Sequence, residues 1–268
     1  MAENIAVPLI PREVLFGNPD KAQARISPDG SKLAYLAPLD GVLNVWVGPA
    51  DAPEKAQPVT RDTGRGIRFY LWAYTSAHVL YIQDKGGDEN WRVYSVAVET
   101  GESIDLTPLE GVNAQFQEVS AKFPEEILVG LNDRDPRFHD IYRIHIATGE
   151  RRCIQHNEAF AGFVTDDEYA IRFALRTTPD GGMEILSPAD DAWTPYINIP
   201  MEDSMMTGVA GFDKTGQVLY MTDSRERNTS ALFAVDLATG ARTLLAEDPK
   251  SDVSGAMVHP TEKHFQAV

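Results

Sequence analysis

Hydrophobic and polar positions alternate along this chain in short bursts, and the bursts recur at a nearly fixed distance. Three stretches show it most plainly: Trp91-Arg-Val-Tyr-Ser-Val-Ala-Val-Glu-Thr-Gly101, Ile141-Tyr-Arg-Ile-His-Ile-Ala-Thr-Gly149 and Leu232-Phe-Ala-Val-Asp-Leu-Ala-Thr-Gly240. Alternation puts every second side chain on one face of a sheet, so each stretch reads as a strand. Each strand runs into a Thr-Gly turn, where glycine supplies the positive φ that the turn needs. A second signal keeps step with the first: a turn between two strands early in each repeat, clearest as Ser27-Pro-Asp-Gly30. These turns fall near residues 30, 77, 125, 167, 216 and 262, which sets a repeat of 42 to 49 residues. A repeat of that length made of short strands predicts an all-β fold, a β-propeller with one four-stranded blade per repeat.

The expected organisation follows from that phase. Residues 1–17 form an N-terminal segment with a short helix within 10–17, and 18–268 form an incomplete propeller domain. About five complete blades fit, followed by part of a sixth, a propeller truncated from about seven. With strands lettered A to D in chain order, the second repeat places them at 67–74, 78–84, 91–98 and 103–107. The A–B and C–D turns are then short and share one end of the blades. The B–C loops at the other end are longer and charged: Asp84-Lys-Gly-Gly-Asp-Glu-Asn90, Asn132-Asp-Arg-Asp-Pro-Arg-Phe-His-Asp140 and Asp223-Ser-Arg-Glu-Arg-Asn228. Long polar loops on a rigid scaffold are where binding function concentrates. The fourth repeat is the weakest, with strands at 170–177 and 183–186, a C–D turn at 188–192 that lacks Thr-Gly, and Pro195 and Pro200 suited to an outer edge strand.

Charge narrows the partners. The chain of 268 residues carries a formal net charge of −16, which argues against a nucleic-acid or anionic membrane partner. The aromatic residues fit packing between blades better than base stacking. Cys153 is the single cysteine, so neither an internal disulfide nor a multi-cysteine zinc cluster is available. No apolar run approaches the ~18 residues of a membrane span, and the N-terminus lacks the pattern of a secretory signal. A cytoplasmic location is therefore expected, or a periplasmic one if a signal peptide has been removed. Exposed blade edges lead to the expectation of a homodimer.

Several stretches in order resemble the prolyl oligopeptidase family of peptidases, in particular its bacterial acylaminoacyl-peptidase and dipeptidyl-aminopeptidase-like branch. They are Asn18-Pro-Asp-Lys-Ala-Gln-Ala-Arg-Ile-Ser-Pro-Asp-Gly-Ser-Lys-Leu-Ala-Tyr35, Gly87-Asp-Glu-Asn-Trp-Arg-Val-Tyr94 with Asp105-Leu-Thr-Pro108, Asn132-Asp-Arg-Asp-Pro136 with Asp140-Ile-Tyr-Arg143, and Asp223-Ser-Arg225 with Val235-Asp-Leu-Ala-Thr-Gly240. The resemblance implies the N-terminal propeller of a serine peptidase, which gates and selects peptide substrates for a C-terminal α/β-hydrolase domain of the same polypeptide. The parent protein would be an enzyme of acylaminoacyl, dipeptidyl or oligopeptidase type. This chain departs from the family pattern in having no Gly-x-Ser-x-Gly nucleophile elbow, so by itself it is expected to be non-catalytic. The alternative is a free-standing propeller that binds a protein or peptide partner.

Candidate chemistry is confined to the B–C loops. Glu89, Asn90, Asp133, Arg134, Asp135 and Arg225 are the candidate substrate-binding residues. A carboxylate among them, Glu89 first, could pair with the free amino terminus of a peptide. Asp84, Asp88 and Glu89 lack the complete spacing of a calcium loop, so solvation or an ion pair is expected there. The histidines at 78, 139, 145, 156, 259 and 264 show no ligand spacing. No metal and no cofactor is expected.

Overall fold

The computed structural model describes residues 9–190 and 192–268. It contains five four-stranded antiparallel sheets, each a simple meander, and a final two-stranded hairpin. A short helix α1 (Arg12–Phe16) precedes them, with no buried residue. The first blade comprises β1 (Ala22–Ile26), β2 (Lys32–Leu39), β3 (Val42–Pro49) and β4 (Gln57–Pro58). The second comprises β5 (Tyr70–Trp72), β6 (His78–Gln83), β7 (Arg92–Ala97) and β8 (Ser103–Asp105). In the third are β9 (Ala114–Val119), β10 (Glu126–Asp135), β11 (Phe138–His145) and β12 (Arg151–Gln155). The fourth has β13 (Gly162–Thr165), β14 (Ile171–Thr177), β15 (Met183–Ala189) and β16 (Ala192–Ile199). The fifth has β17 (Gly208–Phe212), β18 (Val218–Asp223), β19 (Ala231–Asp236) and β20 (Arg242–Ala246), and the chain ends with β21 (Met257–Val258) and β22 (Phe265–Ala267). Two compact units divide it, one ending at Asp105 and the other spanning Leu106–Val268.

The repeated Thr-Gly phrases become the turns that close β7 to β8, β11 to β12 and β19 to β20. Gly101, Gly149 and Gly240 have φ of 71°, 71° and 73°. Each donates its amide to the carbonyl four residues back: Ala97 at 2.8 Å, His145 at 2.9 Å and Asp236 at 2.8 Å. The fourth blade, weakest in sequence, is complete. Its strand β15 runs to Ala189 and β16 begins at Ala192, so strand replaces most of the turn expected at 188–192, of which Asp191 lies outside the described residues. Pro195 sits in β16, the outer strand of the sheet, where the register with β15 slips.

Alternation sorts the buried side chains into separate interfaces. In the second unit, Phe173 and Ile185 pack with Leu219, Met221 and Val235 of the fifth blade. Their neighbours Ala174 and Leu186 point the other way, onto Leu128 and Ile141 of the third. In the first unit, Leu36, Val45 and Val47 meet Tyr70, Trp72 and Val79 in the same manner. Burial of this kind contributes about 25 cal/mol per Å² of apolar surface.

Side chains also reach across at a separation of about one repeat. Tyr70 Oη donates to the Gln23 carbonyl at 2.6 Å and Trp72 Nε1 to that of Arg25 at 3.0 Å. In the second unit, Gln117 Nε2 donates to the Phe163 carbonyl at 3.0 Å and Ser120 Oγ to that of Asp167 at 2.7 Å. Tyr169, buried and held at φ 61°, donates to the Glu126 carbonyl at 2.7 Å and accepts from the Ser120 amide at 3.2 Å. A positive φ is unfavourable for so bulky a residue, and these two bonds hold it there. Burial pushes its phenol well above the ordinary value.

Two stability outcomes are expected. Gly149→Ala places a side chain where nothing lies within 4 Å, so its cost is the left-handed backbone alone, about 1–2 kcal/mol; urea unfolding should show a lower midpoint at unchanged slope. Tyr169→Phe strands two backbone groups and should cost about 1–3 kcal/mol in the same assay.

Candidate functional site

The three charged loops are built around buried aspartates. In the second blade, Asp84 follows β6 with its side chain fully buried. Its Oδ2 accepts from Arg65 Nη1 at 2.9 Å and from the Glu89 amide at 3.3 Å, while its Oδ1 is buried with no hydrogen-bond partner. Gly86 and Gly87, at φ 66° and 90°, let the chain fold back over it. Asp88 Oδ1 accepts from the amides of Lys85 and Asn90 at 3.2 and 3.1 Å. The expected ion pair in this loop is therefore present, formed by Asp84 with Arg65.

The segment 132–140 differs from expectation. It is not an irregular loop: β10 continues to Asp135, β11 begins at Phe138, and Pro136-Arg137 is a two-residue hairpin turn. Asp and Asn are poor strand formers, but β propensity yields to cross-strand contacts, and here those contacts are strong. Arg134 Nε donates to Asp140 Oδ2 at 2.9 Å, and its Nη2 donates to Asp140 Oδ1 at 3.1 Å and to the Asn157 carbonyl at 2.7 Å. Tyr142 Oη donates to both oxygens of Asp133. Arg137 forks onto Asp135, whose hydrogen bonds from that side chain hold its carboxyl at about 2. The strand slips register between Leu131 and Asp135 to accommodate these pairs.

Asp140 is 1% exposed. Burial alone would raise its pKa, but the Arg134 fork, the Asn157 amide at 2.7 Å and His156 outweigh it and hold the carboxyl at about 2. His156 Nδ1 lies 3.0 Å from Asp140 Oδ2, and Cys153 Sγ lies 3.7 Å from the same nitrogen. This group is not legible in the sequence as a cluster, because Asp140 reaches it only through the β11–β12 register, in which Ile141 faces Gln155. The Cys-x-x-His spacing beside a strand was the available signal.

In the fifth blade, Asp223 ends β18 and is 1% exposed. Arg225 forks onto it at 2.9 and 2.8 Å, Arg242 adds a contact at 2.5 Å, and burial is again outweighed so that its pKa is lowered. Arg225 Nη1 also donates to the Asn198 carbonyl of the fourth blade at 3.1 Å.

Of the six candidate residues, then, Asp133, Arg134 and Asp135 share one hairpin. Arg225 lies two blades further along in the same unit, and Glu89 and Asn90 belong to the other unit. The two arginines are committed to buried aspartates, so they act as anchors that fix the loops. Glu89 and Asp133 are exposed, whereas Asp135 is half-buried and paired with Arg137.

No family model matches the chain. It is 48% identical over 262 residues, 97% of its length, to dipeptidyl aminopeptidase BIII of Pseudoxanthomonas mexicana. It is 28% identical over 98% of its length to dipeptidyl peptidase family member 6 of Caenorhabditis elegans. The chain spans 38% of the length of each of these relatives. Among solved structures it is similar to the β-propeller domain of the trilobed protease of Pyrococcus furiosus, with a TM-score of 0.56, 18% identity, and coverage of 88% of this chain and 73% of that one.

Arg134→Ala leaves the carboxylate of Asp140 with its backbone and imidazole partners only. A loss of about 1.5–3 kcal/mol is expected, the range for hydrogen bonds to a charged group. Because the folded pKa of Asp140 is depressed, its contribution is present above about pH 4 and is lost as pH falls towards 2. Unfolding of the parent and the variant across that window should show a shallower decline for Arg134→Ala.

Proposed function

The chain is a β-propeller of the prolyl oligopeptidase family, and from that premise we propose that it screens peptide substrates for a hydrolase domain carried by the same polypeptide. The carrying observation is the 48% identity along 97% of this chain to a dipeptidyl aminopeptidase of which it accounts for 38%. The absence of a Gly-x-Ser-x-Gly motif here fits a division of labour in which the acyl-transfer chemistry lies elsewhere. The screening is steric and electrostatic. Within each unit, blades packed on their neighbours carry loops pinned by a buried aspartate, Asp84 in the first unit and Asp140 and Asp223 in the second, and the carboxylates on those loops meet an incoming peptide. Glu89 is the carboxylate proposed to receive the free amino terminus, as an ion pair with an ammonium that sheds its water on binding.

The test uses the intact polypeptide. Its mass in the source cell should be near ~70 kDa, the size of a seven-blade propeller with an ordinary hydrolase domain, rather than 29.6 kDa. Glu89→Ala in that protein should raise KM for substrates with a free amino terminus about tenfold, equivalent to ~1.4 kcal/mol, and leave N-acylated substrates unaffected. An intact mass near 30 kDa would overturn the gating role, whereas an unchanged KM would remove only the role of Glu89.

A further inference from the structure

The group around Asp140 has a use that peptide screening does not draw on. Strands β11 and β12 pair with Tyr142 opposite Cys153, which carries the donor atoms of Asp140, Cys153 and His156 to within 4.8 Å of one another. We propose that these three side chains bind a thiophilic divalent cation of the Zn²⁺ class on the third blade, with one carboxylate oxygen, one thiolate and one imidazole nitrogen as ligands.

The geometry is close to that of a tetrahedral site. Bond lengths of ~2.0–2.1 Å to nitrogen and oxygen and ~2.3 Å to sulfur require ligand atoms about 3.3–3.6 Å apart. The separations here are 3.0 Å between His156 Nδ1 and Asp140 Oδ2 and 3.7 Å between Nδ1 and Cys153 Sγ; the carboxylate and the thiol lie within 4.8 Å of each other, and a rotation of the partly exposed Cys153 side chain closes the remainder. The cation would sit between Nδ1 and the carboxylate, which requires the imidazole proton to be on Nε2. The thiol proton of Cys153 is released to water on binding. Arg134 keeps its fork on the carboxylate and orients it, the part that outer hydrogen bonds play in metal sites. Its charge is in turn offset by Glu158 at 3.4 Å.

Access and selectivity follow from exposure and chemistry. The His156 side chain is 63% exposed and Cys153 is half-buried, which gives the ion a path in and leaves a fourth position for water. A thiolate and an imidazole favour Zn²⁺ or Co²⁺ over Mg²⁺ or Ca²⁺, which prefer all-oxygen sites. A bound ion would tie β12 to the base of the hairpin that carries Asp133 and Asp135.

The test is titration of the purified, reduced protein with Co²⁺. One equivalent per chain should produce a thiolate-to-metal charge-transfer band and the visible bands of a tetrahedral site, and both should disappear on adding Zn²⁺. Cys153 is the single cysteine, so any such band reports on it alone. Cys153→Ser should abolish the band, and His156→Ala should weaken binding at least tenfold. Both substitutions lie at solvent-accessible positions, and unchanged melting without metal verifies that each variant is folded. No band at saturating Co²⁺ would overturn the proposal, as would a band whose affinity is unaltered in folded His156→Ala.

Discussion

Each blade begins with an edge strand, and an edge strand carries backbone groups that its own sheet cannot satisfy. The structure depends on how those groups are met. The Gln23 and Arg25 carbonyls of β1 accept from Tyr70 and Trp72 of β5, and the Phe163 carbonyl of β13 accepts from Gln117 of β9. A repeat therefore completes its neighbour, through side chains about one repeat away in sequence. The apolar interfaces obey the same logic, since successive residues of one strand, Phe173 and Ala174, serve two different neighbours. A blade alone would leave both its carbonyls and its apolar faces exposed to water. This is why such repeats are stable only in sets.

That mutual dependence frees the far ends of the strands to carry charge. The loops there remain ordered because each contains a carboxylate withdrawn from water and neutralised by arginine: Asp84 with Arg65, Asp140 with Arg134, Asp223 with Arg225 and Arg242. A buried charge that has lost its partner is costly, which makes such a pair a strict specification of loop geometry even where its net contribution to stability is small. A chain with a net charge of −16 spends several of its scarce cations on these anchors. On the hairpin of the third blade, Asp133 is held by Tyr142 and Asp135 by Arg137.

Much of the fold was legible in the sequence because it is written locally. The Thr-Gly turns, the Pro-Asp-Gly turn and the alternation between them depend on neighbours a few residues apart, and they determined the blade phase, the strand order within each sheet and the hairpin at the end. The loops were legible only as charged. Residues 132–140 looked irregular because Asn and Asp are poor strand formers, yet they continue two strands. The ion pair that reverses the local preference joins Arg134 to Asp140 across the turn, and which charges meet is a matter of register. Likewise Arg134 and Arg225 read as available cations until their partners proved to be buried.

By itself, then, the sequence determined a repeating all-β architecture, its family resemblance and the end of the blades where charge collects. Hydrophobic period, turn chemistry and local motifs are properties of contiguous residues, and no tertiary contact is needed to read them. The tertiary structure alone decided which carboxylates are buried, which arginines are consumed in holding them, and that Asp140 meets Cys153 and His156. Those outcomes depend on strand register and on the removal of particular atoms from water, and both are set by residues distant along the chain.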